Sequence, residues 1–200
     1  MAFFHYEKNV KDIEYYEILE NLMERWEYET VEFKEAKSNY DTDKIGRYFS
    51  ALSNEANLKQ QQYGWLIFGV SERDKIKHVV GTAYKQGEQS LLEKFKYEIS
   101  RDITNGMTFY EIKEIFPVVN GKRLRVLMFK VPAAATGIPT DWRTNYYERS
   151  GESLVPLKQY KIDAIRSQER KDWSKQVIEV ATIDNLDKTA INLAREKYKE

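Results

Sequence analysis

Hydrophobic positions recur along this chain with a period that changes from segment to segment. Between residues 10 and 26, Val10, Ile13, Tyr16, Leu19, Met23 and Trp26 stand three and four apart. That spacing predicts an amphipathic helix, and its other face is acidic. In residues 27–37, EYETVEFKEAK, the pattern becomes alternation, with Val31 and Phe33 set against Glu32 and Lys34. A half-buried strand has this period. Helical spacing returns at Ile45, Tyr48, Phe49 and Leu52, with Asp41 or Thr42 as N-cap. Tyr63-Gly64-Trp65-Leu66-Ile67-Phe68-Gly69-Val70 is the densest aromatic and β-branched run. Apolar in both phases, it reads as a buried central strand, with glycines where a backbone approaches or the chain turns.

Beyond it, Ser71-Glu72-Arg73-Asp74 reads as a polar turn and His78 to Thr82 as a short partner strand. Leu91, Leu92, Phe95, Ile99 and Ile103 predict a helix ending near Asn105-Gly106. Residues 112–131 hold two β-rich runs around Asn120-Gly121, a dipeptide that tolerates the positive φ angles of a tight hairpin. Pro117 suits an edge or bulge there. Pro132 to Pro139 is loop-like, and residues 146–149 and 153–155 read as short strands around Ser150-Gly151.

From Leu157 the chain turns to charged helix, one piece over 158–171 and another from near Asp184 to the end. The last has a thin apolar stripe, as in a helix that continues or packs on something beyond the domain. The chain thus reads as helices and strands in mixed order, closed by a helical C-terminal extension. Its expected divisions are an N-terminal helix over 1–26, an α/β core over 27–157 and an extension over 158–200. The extension is expected to lead to further domains of a longer protein.

Composition narrows the function classes. A hydrophobic share of 42% with 14% aromatics excludes a disordered chain. No run of about 18 apolar residues is present to span a membrane as a helix. Without cysteine there is no disulfide and no thiolate zinc site, and a cytoplasmic location is expected. The formal net charge is zero, but residues 1–35 carry four basic and ten acidic side chains. Residues 121–157 carry six basic and three acidic ones. Neither a P-loop nor a dinucleotide fingerprint occurs, and no cofactor is expected. The only histidines are His5 and His78, too few for a catalytic triad or a histidine metal site. Chemistry therefore rests on carboxylates, lysine and tyrosine.

Two groupings are candidates. Glu27, Glu29 and Glu32 accompany the first strand, and Glu72 and Asp74 follow the central one. Converging at one sheet edge, such acids hold Mg²⁺ or Mn²⁺; otherwise they are solvated, locally paired acids. Lys34 shares a strand face with Glu32 and either steadies a phosphate or neutralises that acid. The second grouping is Lys122, Arg123 and Arg125, followed by Arg143 and Arg149 among Trp142, Tyr146 and Tyr147. Guanidinium groups beside rings suit phosphate contact with base stacking. The alternative is core aromatics with solubilising arginines.

Three stretches together resemble a known family. Residues 27–37 look like the opening Glu-x-x-x-x-Glu-Phe-Lys pattern of the Schlafen AlbA-like domain, the DNA-binding domain of many bacterial transcriptional-regulator-like proteins. Residues 49–70, FSALSNEANLKQQQYGWLIFGV, are similar to its Ala-x-x-Asn and Gly-x-Leu-x-x-Gly-Val segment. Residues 137–157 resemble its late Tyr-x-Arg-x-Gly-Glu-Ser motif. The family's short Asn-x-x-Gly-Gly link is replaced here by the longer loop Glu55 to Tyr63 before Gly64.

The resemblance implies an α+β fold, with a mixed, largely antiparallel sheet, flanking helices and a helical C-terminal extension. It also implies an N-terminal nucleic-acid-binding module of a transcriptional regulator, with DNA ahead of RNA as partner. Lys34, Lys122, Arg123, Arg125, Arg143, Tyr147 and Arg149 are the expected contacts. Some animal relatives cut structured RNA with an acidic trio. The first two acids match Glu27 and Glu32, which would hold the metal; the third falls at Ser71, with Glu72 next to it. A metal-dependent endoribonuclease using Glu27, Glu32 and Glu72 is thus the alternative reading. A third is a protein-interaction or dimerisation domain forming homo-oligomers, for which a neutral chain is natural.

Overall fold

The computed structural model describes residues 13–24, 29–73, 76–87, 89–151, 153–168 and 187–198. Two compact units divide the chain, residues 1–169 and 170–200. In the first, α1 (Ile13–Glu24) and β1 (Val31–Lys34) precede α2 (Thr42–Leu58) and β2 (Tyr63–Phe68). Then come β3 (Val70–Arg73), β4 (Ile76–Val79), α3 (Gln89–Arg101) and a 3-10 turn, Thr104–Gly106. The hairpin region follows, with β5 (Glu111–Ile115), β6 (Val118–Val119), β7 (Lys122–Arg123) and β8 (Val126–Pro132). The unit closes with β9 (Asp141–Trp142), β10 (Asn145–Ser150), β11 (Ser153–Pro156) and α4 (Gln159–Arg166).

The main sheet has the order β1-β2-β8-β5, with β1 parallel to β2 and the remaining pairs antiparallel. A second sheet, β11-β10-β9, is wholly antiparallel. The chain is α+β with mixed, mostly antiparallel sheets, as the resemblance implies. Leu66 and Phe68 of β2 join an aromatic core with Phe49, Phe95, Phe109 and Phe129. Ile67 faces the opposite way, into a cluster with Tyr16 and Leu19 of α1. Both faces of β2 are covered, so its sequence is apolar in both phases. A Cβ on Gly64 would lie 3.0 Å from the Leu52 carbonyl oxygen, which explains glycine where α2 crosses.

Helix α2 begins at Asp41, whose Oδ1 accepts the Asp43 amide at 2.9 Å, and lies between the two sheets. Ile45, Phe49 and Leu52 enter the aromatic core. Its Gly46 lies under the fully buried Trp142 ring. Asn54, fully buried, donates to the carbonyls of Thr140 (2.9 Å) and Tyr147 (3.2 Å) and accepts the Thr140 amide at 2.8 Å. Replacing it with alanine orphans buried backbone groups. We expect Asn54→Ala to lower stability by about 2 kcal/mol in urea unfolding; an unchanged midpoint would show that water or a shift satisfies them.

Several expectations are corrected. Ser71 to Arg73 are not a turn but β3, antiparallel to Ile76–Val79, which replaces the partner strand expected at 78–82. The apolar run 63–70 is two strands, broken at Gly69 (φ 94°), where a Cβ would meet the Arg125 carbonyl oxygen at 2.8 Å. Strand β9 lies in a stretch with no readable alternation. The hairpin over 112–131 turns at Asn120 (φ 50°) and Gly121 (φ 75°). Val10, Trp26, Glu27, Asp74 and the 184–186 end of the last expected helix lie outside the described residues. In the second unit α5 (Lys188–Lys197) starts at Asp187, whose Oδ1 accepts the Thr189 amide at 2.7 Å. Among the described residues no helix is long and apolar enough to cross a membrane.

Candidate nucleic-acid interface

The alternation of β1 places Glu32 and Lys34 on the α2 side of the sheet. Glu32 is buried; its Oε1 is paired with the Lys34 ammonium, and its Oε2 lies 2.6 Å from Nη2 of Arg149. Arg149 is itself buried on β10 and also donates to the carbonyls of Val31 and, at 3.1 Å, Gly151. The Lys34 ammonium sits 5.1 Å from the centre of the Tyr48 ring. Burial pulls that ammonium down, but Glu32 beside it prevails and holds it above the ordinary lysine value. Glu32 and Lys34 of β1 and the distant Arg149 thus form one internal network.

A second network adjoins it in a cleft of about 370 Å³ lined by α2, β10 and α4. Glu55 and Glu148 are almost fully buried. The Lys161 ammonium contacts Glu55 and lies 3.0 Å from Glu148, with Lys158 3.9 Å from Glu148. Burial pushes the Glu55 carboxyl up despite Lys161. Glu55 reads from the sequence as the start of the loop before Gly64 but lies on α2, and its partners come from β10 and α4, so no local pattern marks this group.

The remaining expected contacts are dispersed. Arg143 bonds Asp102 at 2.9 Å and reaches Asp43 at 3.4 Å while stacking over Trp142 at 4.9 Å. Asp43 also takes Arg47 at 2.6 Å, and Arg47 stacks over the Tyr147 ring at 5.6 Å. Arg125 is buried, paired with Glu114 and donating to the carbonyls of Thr82 (3.3 Å) and Tyr84 (2.8 Å). It fastens the long hairpin to the 82–84 segment. Lys122 and Arg123 are different. Both are exposed on β7, neither is paired with an acid among the described residues, and the neighbouring Gly121 faces open space. Arg123 lies 5.2 Å over the Phe116 ring.

Among the acids, Glu27 lies outside the described residues. Ser71, at the register of the third acid, is buried, and strand alternation carries Glu72 to the exposed side. Glu32 is compensated by two cations, so it has little charge to offer a divalent ion. Among the described residues no group of three His, Asp or Glu side chains is placed to hold a metal.

The Schlafen, AlbA_2 family model matches residues 27–158, which takes in β1, α2, β2 and the β10–β11 turn. The DIP2311 protein from Corynebacterium diphtheriae, known from a crystal structure, is similar at a TM-score of 0.51 and 20% identity. The match covers 94% of this chain and 34% of that one, so the chain spans about a third of its length. At that identity the likeness is one of fold. No curated protein matches the chain. The family is consistent with a nucleic-acid-binding domain. With the matched region holding both the Glu32–Arg149 network and the helix between the sheets, this chain belongs to the Schlafen AlbA_2 family.

Proposed function

We propose that this domain is a non-catalytic nucleic-acid-binding module, with duplex DNA as its main partner, in a transcriptional regulator. The observation that carries the reading is the tip of the β5–β8 hairpin. Of the cations expected to meet phosphate, Lys34, Arg125 and Arg149 are engaged with acids in the interior, and Arg143 with Asp102 and Asp43 at the surface. Lys122 and Arg123 alone in that group are exposed without an acidic partner among the described residues. In a chain of zero net charge, binding must come from such a local patch, because phosphate contact supplies most of the sequence-independent affinity. A two-stranded ribbon of this size also suits a groove of duplex DNA.

The test is fluorescence anisotropy with a short DNA duplex at low and moderate salt, comparing wild type with Lys122→Glu/Arg123→Glu. Affinity should fall roughly tenfold or more, and the slope of log K against log salt should flatten by about two. Neither side chain is buried, so the fold should be unaffected. Equal affinity and slope would refute the assignment. Probes cut only when Mn²⁺ is added would refute the non-catalytic reading.

A further inference from the structure

At the far end of the same hairpin lies a group that the hairpin-tip reading does not use. Lys130 is on β8, an inner strand, half-buried and facing the α1 side of the sheet. Its ammonium lies 4.1 Å from the centre of the Tyr63 ring, 5.2 Å from Tyr110 and 5.7 Å from Trp65. Trp65 is its cross-strand neighbour, and the Tyr110 amide donates to the Lys130 carbonyl at 2.9 Å. The ring centres of Tyr63 and Tyr110 are 5.3 Å apart, and Tyr110 is 64% exposed.

Lys130 is paired with no acid among the described residues. Its other cross-strand neighbour, Glu111, instead accepts the Tyr15 hydroxyl. Lys130 is thus a half-buried cation on an inner strand that lies against rings rather than in an ion pair. Base stacking on sequence-tolerant aromatic surfaces, with a cation for the backbone, is how single-stranded nucleic acid is held. We propose that Tyr63, Trp65, Tyr110 and Lys130 form a stacking platform for single-stranded nucleic acid, separate from the hairpin tip.

The platform is tested with labelled oligo(dT), following anisotropy and the quenching of tryptophan fluorescence. Tyr110→Ala should weaken binding about tenfold, within the range that removing a stacking ring causes. Lys130→Met should weaken it and reduce its salt dependence while leaving the thermal midpoint unchanged or higher, which a purely structural lysine would not do. Lys122→Glu/Arg123→Glu serves as the parallel control. If that variant loses oligo(dT) binding and Tyr110→Ala does not, the platform is refuted and the hairpin contact stands. Absence of wild-type binding to oligo(dT) also refutes it.

Discussion

Arg149→Met should destabilise the domain by about 3–5 kcal/mol, the range found when one partner of a buried ion pair is removed. Glu32 is 4% exposed and Arg149 6% exposed, so the carboxylate left behind cannot recover its hydration. Lys34 alone remains to compensate it, from one side. The arginine also serves the Val31 and Gly151 carbonyls, tying β1 to the β10–β11 turn. Urea unfolding of Arg149→Met, Glu32→Gln and the double variant gives the coupling. The double variant should be much less destabilised than the sum of the singles, since it removes both charges. A loss below about 1 kcal/mol for Arg149→Met would show the pair to be solvated rather than buried. Loss of nucleic-acid binding by an Arg149 variant should therefore be read against its stability before it is read as a lost phosphate contact.

The second large effect is expected where α2 meets β9. A Cβ on Gly46 would lie 2.1 to 2.3 Å from three ring carbons of Trp142, far inside van der Waals contact. The ring is fully buried, and its Nε1 donates to Asp43 at 2.8 Å, so it cannot slide away without breaking that bond. Gly46→Ala should cost about 3 kcal/mol, at the upper end for overpacking. Trp142→Ala alone should cost about 3–5 kcal/mol through lost burial and the cavity left behind. In the Trp142→Ala background the sign should reverse, with Gly46→Ala stabilising by up to about 1 kcal/mol, because alanine is the better helix former. A thermal-unfolding cycle checks this. Additive effects would mean that the contact is not what requires glycine at position 46.

Much of the fold was legible because local periodicity and burial agree. The Tyr63–Phe68 strand is apolar in both phases and is covered on both faces. The Asn120-Gly121 turn uses two residues tolerant of positive φ, and both adopt it. The reading failed where the cause was non-local. Ser71 is polar, yet it is buried in β3 because the β3–β4 hairpin folds there, so a run that looks like a turn is a strand. Asp141-Trp142 shows no alternation because β9 is two residues long.

The candidate site divides in the same way. By itself the sequence determined which residue types were present: acids on one strand, a basic hairpin turn, arginines among tyrosines, and the motifs that mark the family. Only the tertiary structure decided which of those charges are available to a partner. Arg125 and Arg149 look alike on paper to Lys122 and Arg123, but packing brought acids from other elements against the first two. The tip of a hairpin has no second layer to supply such acids. A charge becomes a binding group or an internal tie according to what lies across from it, and that is fixed by contacts between residues as far apart as Glu32 and Arg149.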